Sequence, residues 1–217
     1  MPLGMPEFAD NPENRCPVVL LLDVSGSMSG RPIEELNRGL ATFQADVLKD
    51  GQASMSVDVA IVTFGPVRLT QDFVSITDFT PPQLRAEGLT PMGEAIEYAL
   101  DLLEQRKQTY KGHGVSYYRP WVFLITDGSP TDDWTYAAHR LKDAEVNRKL
   151  SFFAVGVEGA DFETLKQITP ERPPLKLNGL DFGSLFIWLS ASMKRISQSE
   201  VGETVALPAV GWGQIQS

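Results

Sequence analysis

Asp23, Ser25 and Ser27 stand at alternate positions in the stretch Asp23-Val24-Ser25-Gly26-Ser27, directly after the apolar run Val18 to Leu22. Two further oxygen-bearing residues mark similar positions later in the chain. Thr90 precedes Pro91 and a helical pattern, and Asp127 follows the apolar run Trp121 to Thr126. Together they offer carboxylates and hydroxyls, with no thiolate and no imidazole. Oxygen-only donors suit a hard cation such as Mg²⁺, which takes six oxygens at about 2.0–2.1 Å and retains waters readily. Hydroxyls are neutral, so a cation held largely by them is under-neutralised and attracts a further carboxylate from outside. That is a binding mechanism and requires no chemical step.

For these residues to meet, the elements around them must bring three separated segments to one edge. Val18 to Leu22 and Trp121 to Thr126 read as parallel strands buried on both faces. In a doubly wound sheet, the loops leaving two central strands toward opposite faces form a crevice at their carboxyl ends. The rest of the chain supplies such a sheet. Ile33, Leu36, Leu40, Phe43 and Val47 recur at helical spacing, with Pro32 in the first turn. Met55 to Phe64 reads as a strand, and Gly65-Pro66 breaks it before an alternating segment, Val67 to Phe73, expected as an antiparallel edge. A helix is predicted over Met92 to Arg106, then an exposed loop from Thr109 to Arg119. Trp134 to Lys149 reads as a helix, Leu150 to Val157 as a strand, Phe162 to Ile168 as a short helix and Leu175 to Leu177 as a short strand. Phe182 to Ile196 is the closing helix. The fold class is therefore α/β, with a doubly wound, six-stranded, mostly parallel sheet, one antiparallel edge strand and helices on both faces. Residues 1–16 form an N-terminal extension, 17–197 the domain, and 198–217 a tail read as a loosely docked extended arm, on its own domain or on a partner, with a disordered linker as the alternative.

Each candidate also has a local structural reading. Asp23 and Ser25 could form an Asx or Ser turn ahead of a helix. Thr90 could be a plain N-cap with Pro91 at the first helical position, and Asp127-Gly128 a plain turn. Asp132 and Asp133 read as caps of the helix that follows, and Trp134 as a residue packed against it. His113 and His139 lack ligand spacing and read as surface residues.

Composition narrows the function classes. The chain has 217 residues, a formal net charge of −9 and one cysteine, Cys16. The acidic balance disfavours nucleic acid and anionic membranes as partners. A single cysteine forms no internal disulfide, which points to the cytoplasm. The N-terminus carries no basic start with an apolar stretch, and no run is long enough to span a membrane. Nothing indicates an oligomer, and monomer is the default.

The three-part pattern resembles the metal-ion-dependent adhesion site (MIDAS) of von Willebrand factor A (VWA) domains: D-x-S-x-S, a Thr-Pro before a helix, and T-D-G after an apolar strand. The resemblance runs from Pro17 to about Ser197. It implies metal-ligand roles for Asp23, Ser25, Ser27, Thr90 and Asp127, toward Mg²⁺ with Mn²⁺ or Ca²⁺ as alternatives, and an acidic partner residue completing the shell. Two segments, Leu21 to Ile33 and Leu124 to Trp134, are similar to the TerY type of bacterial VWA protein. That similarity implies a cytoplasmic adaptor in tellurium resistance or stress response, with kinase-like or phosphatase-like partners. The competing class is a Mg²⁺-dependent hydrolase or phosphatase. Against it, Asp23 has no second aspartate two residues on, and no Lys or His accompanies the motifs as acid or base. Nucleotide binding is a third class, but Gly26 to Gly30 is too short for a phosphate loop and lacks its Gly-Lys-Ser/Thr ending.

Overall fold

Val, Leu and Ile dominate the central strands, and every residue of the first two is buried, as a sheet covered on both faces requires. A computed structural model of the chain describes residue 11 and residues 13–215. Most of the N-terminal extension assigned to 1–16 lies outside the described residues. Strand β1 (Cys16–Asp23) is central, flanked by β2 (Val57–Phe64) and β4 (Trp121–Thr126), both parallel to it. Strand β3 (Arg68–Ser75) pairs antiparallel with β2 at one edge, as the alternation of 67–73 predicts. On the other side follow β5 (Ser151–Gly156) and β6 (Leu175–Leu177), parallel to β4 and to each other.

Among the described residues the sheet has seven strands rather than six, in the order β3-β2-β1-β4-β5-β6-β7. The additional strand, β7 (Gly213–Ile215), comes from the tail and pairs antiparallel with β6. Three residues carry no readable alternation, so only the pairing reveals it. The described part of the tail is anchored at several points. The closing helix, α6 (Phe182–Ser197), donates from Trp188 Nε1 to the Pro208 carbonyl at 2.8 Å and from the Arg195 guanidinium to the Ala206 carbonyl at 2.8 Å. Trp212 is buried and meets the Trp188 ring edge-on at 5.7 Å.

Side chains alternate between two cores. Val18, Leu20 and Leu22 face α1 (Arg31–Val47) and α6, with Phe43 and Phe186 in contact between them. Val19 and Leu21 face the helices α3 (Met92–Gly112), α4 (Thr135–Val146) and α5 (Phe162–Ile168). A short helix, α2 (Gly51–Ser56), precedes β2, where the strand was predicted to begin at Met55. Its entry is capped by Asp50, which accepts from Gln52 and Ala53. Helix α3 runs six residues beyond Arg106, into the predicted exposed loop. The reason is burial: Arg106 and Tyr110 both reach Asp58 on β2, at 2.8 Å and 2.6 Å, and Tyr110 is fully buried. No helix among the described residues is long and apolar enough to cross a membrane.

Candidate metal centre

The carboxyl ends of β1 and β4 lie side by side, so the turns leaving them share one crevice. Asp23 is the last residue of β1 and is fully buried. One of its oxygens accepts the Ser25 N–H at 2.8 Å, which is the anticipated Asx turn. The other accepts the Thr126 hydroxyl at 2.5 Å, across from β4. The turn and the convergence therefore coexist. The Asx turn brings Ser25 and Ser27 back over the end of the strand, with their hydroxyl oxygens 3.0 Å apart. The Ser27 hydroxyl donates to Asp127 Oδ1 at 2.7 Å, closing the loop between the first and third segments.

Thr90 arrives by a different route. The connector before it packs on the end of β1: Glu87 N donates to the Val24 carbonyl, and Gly26 N donates to the Gly88 carbonyl at 3.1 Å. Gly88 has φ +76, and a Cβ there would stand 1.6 Å from the Gly65 carbonyl oxygen. Only glycine satisfies both the left-handed backbone and the close approach. Thr90 is buried, and a Cβ at Gly128 would lie 3.5 Å from its Oγ1. That places the hydroxyl against the Asp127-Gly128 turn.

Thr90 is not the helix cap. Pro91 occupies the N-cap position of α3, and Met92 opens the helix. The first N–H groups are satisfied from elsewhere: Asp132 accepts from Gly93 at 3.1 Å and from Glu94 at 2.8 Å. Asp132 thus caps α3 instead of the helix after it. Asp133 serves that next helix, accepting from Thr135 at 2.9 Å. This division leaves the Thr90 hydroxyl without a hydrogen-bond partner among the described residues. It also ties the Thr90 loop to the Asp127 loop, since Thr131 donates its N–H to the Thr90 carbonyl at 2.9 Å. Trp134 is half-buried against the α3–α4 core, and His113 and His139 are exposed.

The electrostatics are unbalanced. Burial, opposed by hydrogen bonds from Ser25 and Thr126 and assisted by the nearby Asp127 charge, pushes the Asp23 carboxyl above the usual carboxylate range. Neither Asp23 nor Asp127 forms an ion pair with a basic side chain among the described residues. A buried carboxylate without a counter-charge is costly, and a cation in the crevice would supply one. The donor spacing fits. Oxygens on adjacent corners of an octahedron of radius about 2.0–2.1 Å lie about 2.8–3.0 Å apart. The Ser25–Ser27 and Ser27–Asp127 separations of 3.0 Å and 2.7 Å approximate such edges. No group of three or more His, Cys, Asp or Glu side chains that could hold a metal occurs among the described residues. A cation here would therefore depend on the hydroxyls of Ser25, Ser27 and Thr90.

Two features that stabilise this arrangement carry weak sequence signals. Thr126 orients Asp23, yet within Trp121 to Thr126 it reads as the end of a strand. Asp132 acts on a helix that precedes it by about forty positions, and only the fold reveals that contact.

Comparison with known proteins accords with the architecture. The family model for the von Willebrand factor type A domain matches residues 18–176. Inter-alpha-trypsin inhibitor heavy chain 4 of Mus musculus is 25% identical over 163 residues, covering 71% of this chain and 16% of that protein. Among solved structures, the pilus adhesin SpaC of Lactobacillus rhamnosus GG superposes with a TM-score of 0.67 at 14% identity, over 85% of this chain and 31% of that one. Proximal thread matrix protein 1 of the mussel byssus gives a TM-score of 0.57 at 19% identity, over 84% of this chain and 49% of that one. The chain thus spans less than half the length of each of these relatives. With the family pattern matched over most of its length and the sheet and crevice arranged as described, this chain belongs to the von Willebrand factor type A family.

Proposed function

We propose that the protein is a metal-dependent protein-interaction module. Asp23, Ser25, Ser27, Thr90 and Asp127 hold a Mg²⁺-type ion, and a partner's carboxylate completes its shell. VWA domains commonly mediate metal-dependent protein–protein adhesion. The observation that carries the reading is the convergence of two carboxylates and three hydroxyls at one crevice, with Asp23 buried and, among the described residues, unpaired by any basic side chain. When bound, the ion supplies a Lewis-acidic position for a carboxylate oxygen. The chain's own residues do the rest: Thr126 and the Ser25 N–H fix Asp23, Asp132 frees Thr90, and the Gly65–Gly88 contact holds the Thr90 loop against β1.

The same proposal takes the protein to be a binding module and not an enzyme. Its support is that the crevice side chains are carboxylates and hydroxyls, with no Lys or His among the described residues of the site to serve as acid or base. The ion is taken as Mg²⁺, with Mn²⁺ or Ca²⁺ as alternatives. The similarity of 21–33 and 124–134 to TerY-type proteins supports a narrower reading: a cytoplasmic bacterial adaptor in tellurium or stress response, with kinase-like or phosphatase-like partners. The domain is taken as 17–197, with 198–217 as an accessory arm.

The test is affinity capture from host lysate by wild type and Asp127→Ala, each with Mg²⁺ and with EDTA. Partners retained only by wild type with Mg²⁺ support the proposal. Partners retained equally under all four conditions put the interaction surface elsewhere. Turnover of a phosphate ester that requires both Mg²⁺ and Asp127 would favour the hydrolase.

A further inference from the structure

The edge of the sheet that carries the metal crevice is electrically asymmetric. Beyond β4 it is acidic, with Asp133 and Glu158 exposed, while Glu163 is offset by Lys166 at 3.0 Å. On the opposite side, next to β1, lies a cleft of about 260 Å³ lined by Val24, Thr63, Arg68, Thr70, Arg85 and Glu87. Val24 immediately follows Asp23, so cleft and crevice share the end of β1 and are separated by the Gly65–Gly88 contact.

The cleft presents donors. Arg68 is engaged with Glu87 at 2.8 Å, and those two charges offset each other. Arg85 is exposed and forms no ion pair among the described residues. The backbone that carries it is nevertheless held in place. The preceding residue, Leu84, is buried, and Asn37 on α1 clamps its backbone from both sides, accepting the Leu84 N–H at 2.8 Å and donating to its carbonyl at 3.0 Å. Two residues on, Glu87 N is bound to the Val24 carbonyl. At the base of the cleft the Thr63 and Thr70 hydroxyls lie 2.8 Å apart. One proton serves that bond, which leaves the other hydroxyl's O–H without an acceptor among the described residues. A free guanidinium and a spare hydroxyl donor, in a chain of net charge −9, form a site for an anion.

Resting on the metal-bridged reading above, we propose that this cleft is a second acidic subsite, and that the partner is an extended segment carrying two carboxylates. The first binds the cation and the second sits over Arg85. The geometry sets their spacing. The cleft spans the ends of β2 and β3, one to two strand separations from β1, or about 5–10 Å. An extended chain advances about 3.3 Å per residue, so acids two or three positions apart cover about 7–10 Å. The acidic far side opposes the reverse orientation, because a second carboxylate there would face Glu158 and Asp133. Leu89, 69% exposed beside Thr90, gives the intervening residue an apolar surface.

The test is an NMR titration of the full chain with two capped peptides, Gly-Asp-Gly-Glu-Gly and Gly-Asp-Gly-Gln-Gly, in Mg²⁺ and in EDTA, using wild type and Arg85→Gln. The diacid is expected to bind wild type about two- to fivefold more tightly than the monoacid in Mg²⁺. Arg85→Gln is expected to abolish that difference while leaving monoacid affinity unchanged. Equal affinities for the two peptides in wild type, with Mg²⁺-dependent binding of both, would overturn the second subsite and leave the metal reading intact. Diacid binding that persists in EDTA and is lost in Arg85→Gln would uphold the cleft and contradict the metal bridge. Binding of neither peptide would overturn both.

Discussion

Replacing Asp58 by Ala should destabilise the protein severely while leaving the metal crevice intact. Asp58 is 1% exposed and receives the Arg106 guanidinium at 2.8 Å, the Tyr110 hydroxyl at 2.6 Å and Arg15 at 3.7 Å. Removing the carboxylate leaves two guanidinium charges in a buried site. Breaking a buried pair from one side costs about 3–5 kcal/mol. Arg106 retains stacking on Phe73 and Tyr110, at 5.4 Å and 4.8 Å, and Arg15 retains the Met55 carbonyl at 2.8 Å. These residual contacts place the loss toward the lower end, about 3 kcal/mol. With a urea m-value of about 3 kcal/mol/M, the unfolding midpoint should fall by about 1 M. The distal site should not respond. Asp58 is six residues from Phe64, which pairs with Asp23, so about 20 Å of strand separates them. Urea unfolding followed by tryptophan fluorescence, alongside Mn²⁺ titration of the folded variant, measures both quantities. The double variant Asp58→Leu/Arg106→Met should recover part of the loss, because both members of the pair are replaced by apolar groups. A midpoint shift below about 0.3 M for Asp58→Ala, or a double variant less stable than the single, would refute the argument.

Two further perturbations have definite outcomes. Gly88→Ala puts a Cβ onto the Gly65 carbonyl in a left-handed backbone, so the Thr90 loop must move. Divalent-cation affinity by calorimetry should drop about tenfold or more, and an unchanged affinity would contradict the role given to that contact. Asp46 joins α1 to α6. Burial opposes its charge, but the Ser190 hydroxyl, Lys194 and Lys49 outweigh that and hold its carboxyl at about 2. Because the folded value is depressed, this stabilisation is present above the ordinary value of 3.8 and disappears as pH falls through about 2. Asp46→Asn should therefore be less stable than wild type at pH 7, with the gap closing near pH 2. A gap that is the same at both pH values would contradict the assignment.

The elements legible in the sequence were those whose signal is local. Val18 to Leu22 and Trp121 to Thr126 declare buried strands by composition, and the oxygen-bearing residues immediately after them fall at the crevice because strand ends in a doubly wound sheet converge there. What the sequence left obscure depends on contacts distant in the chain. Asp58 interrupts an apolar strand and looks like an ordinary surface alternation until Arg106 and Tyr110 arrive from α3. The extension of α3 beyond Arg106 has the same cause, since Lys111, Gly112 and the polar residues around them resemble a loop. Asp132 caps a helix earlier in the chain, which no capping rule for the following helix anticipates. Strand β7 is too short for periodicity, and Trp212 supplies the packing that docks it.

The central claim is that five residues from three segments hold one divalent cation. Electron paramagnetic resonance of Mn²⁺ titrated into wild type, Ser27→Ala and Asp127→Ala, with Mg²⁺ as competitor, tests it most directly. The account predicts one Mn²⁺ per chain in wild type, displaced by Mg²⁺, with affinity reduced about tenfold or more in each variant. Mn²⁺ binding of equal strength in wild type and Asp127→Ala would contradict it.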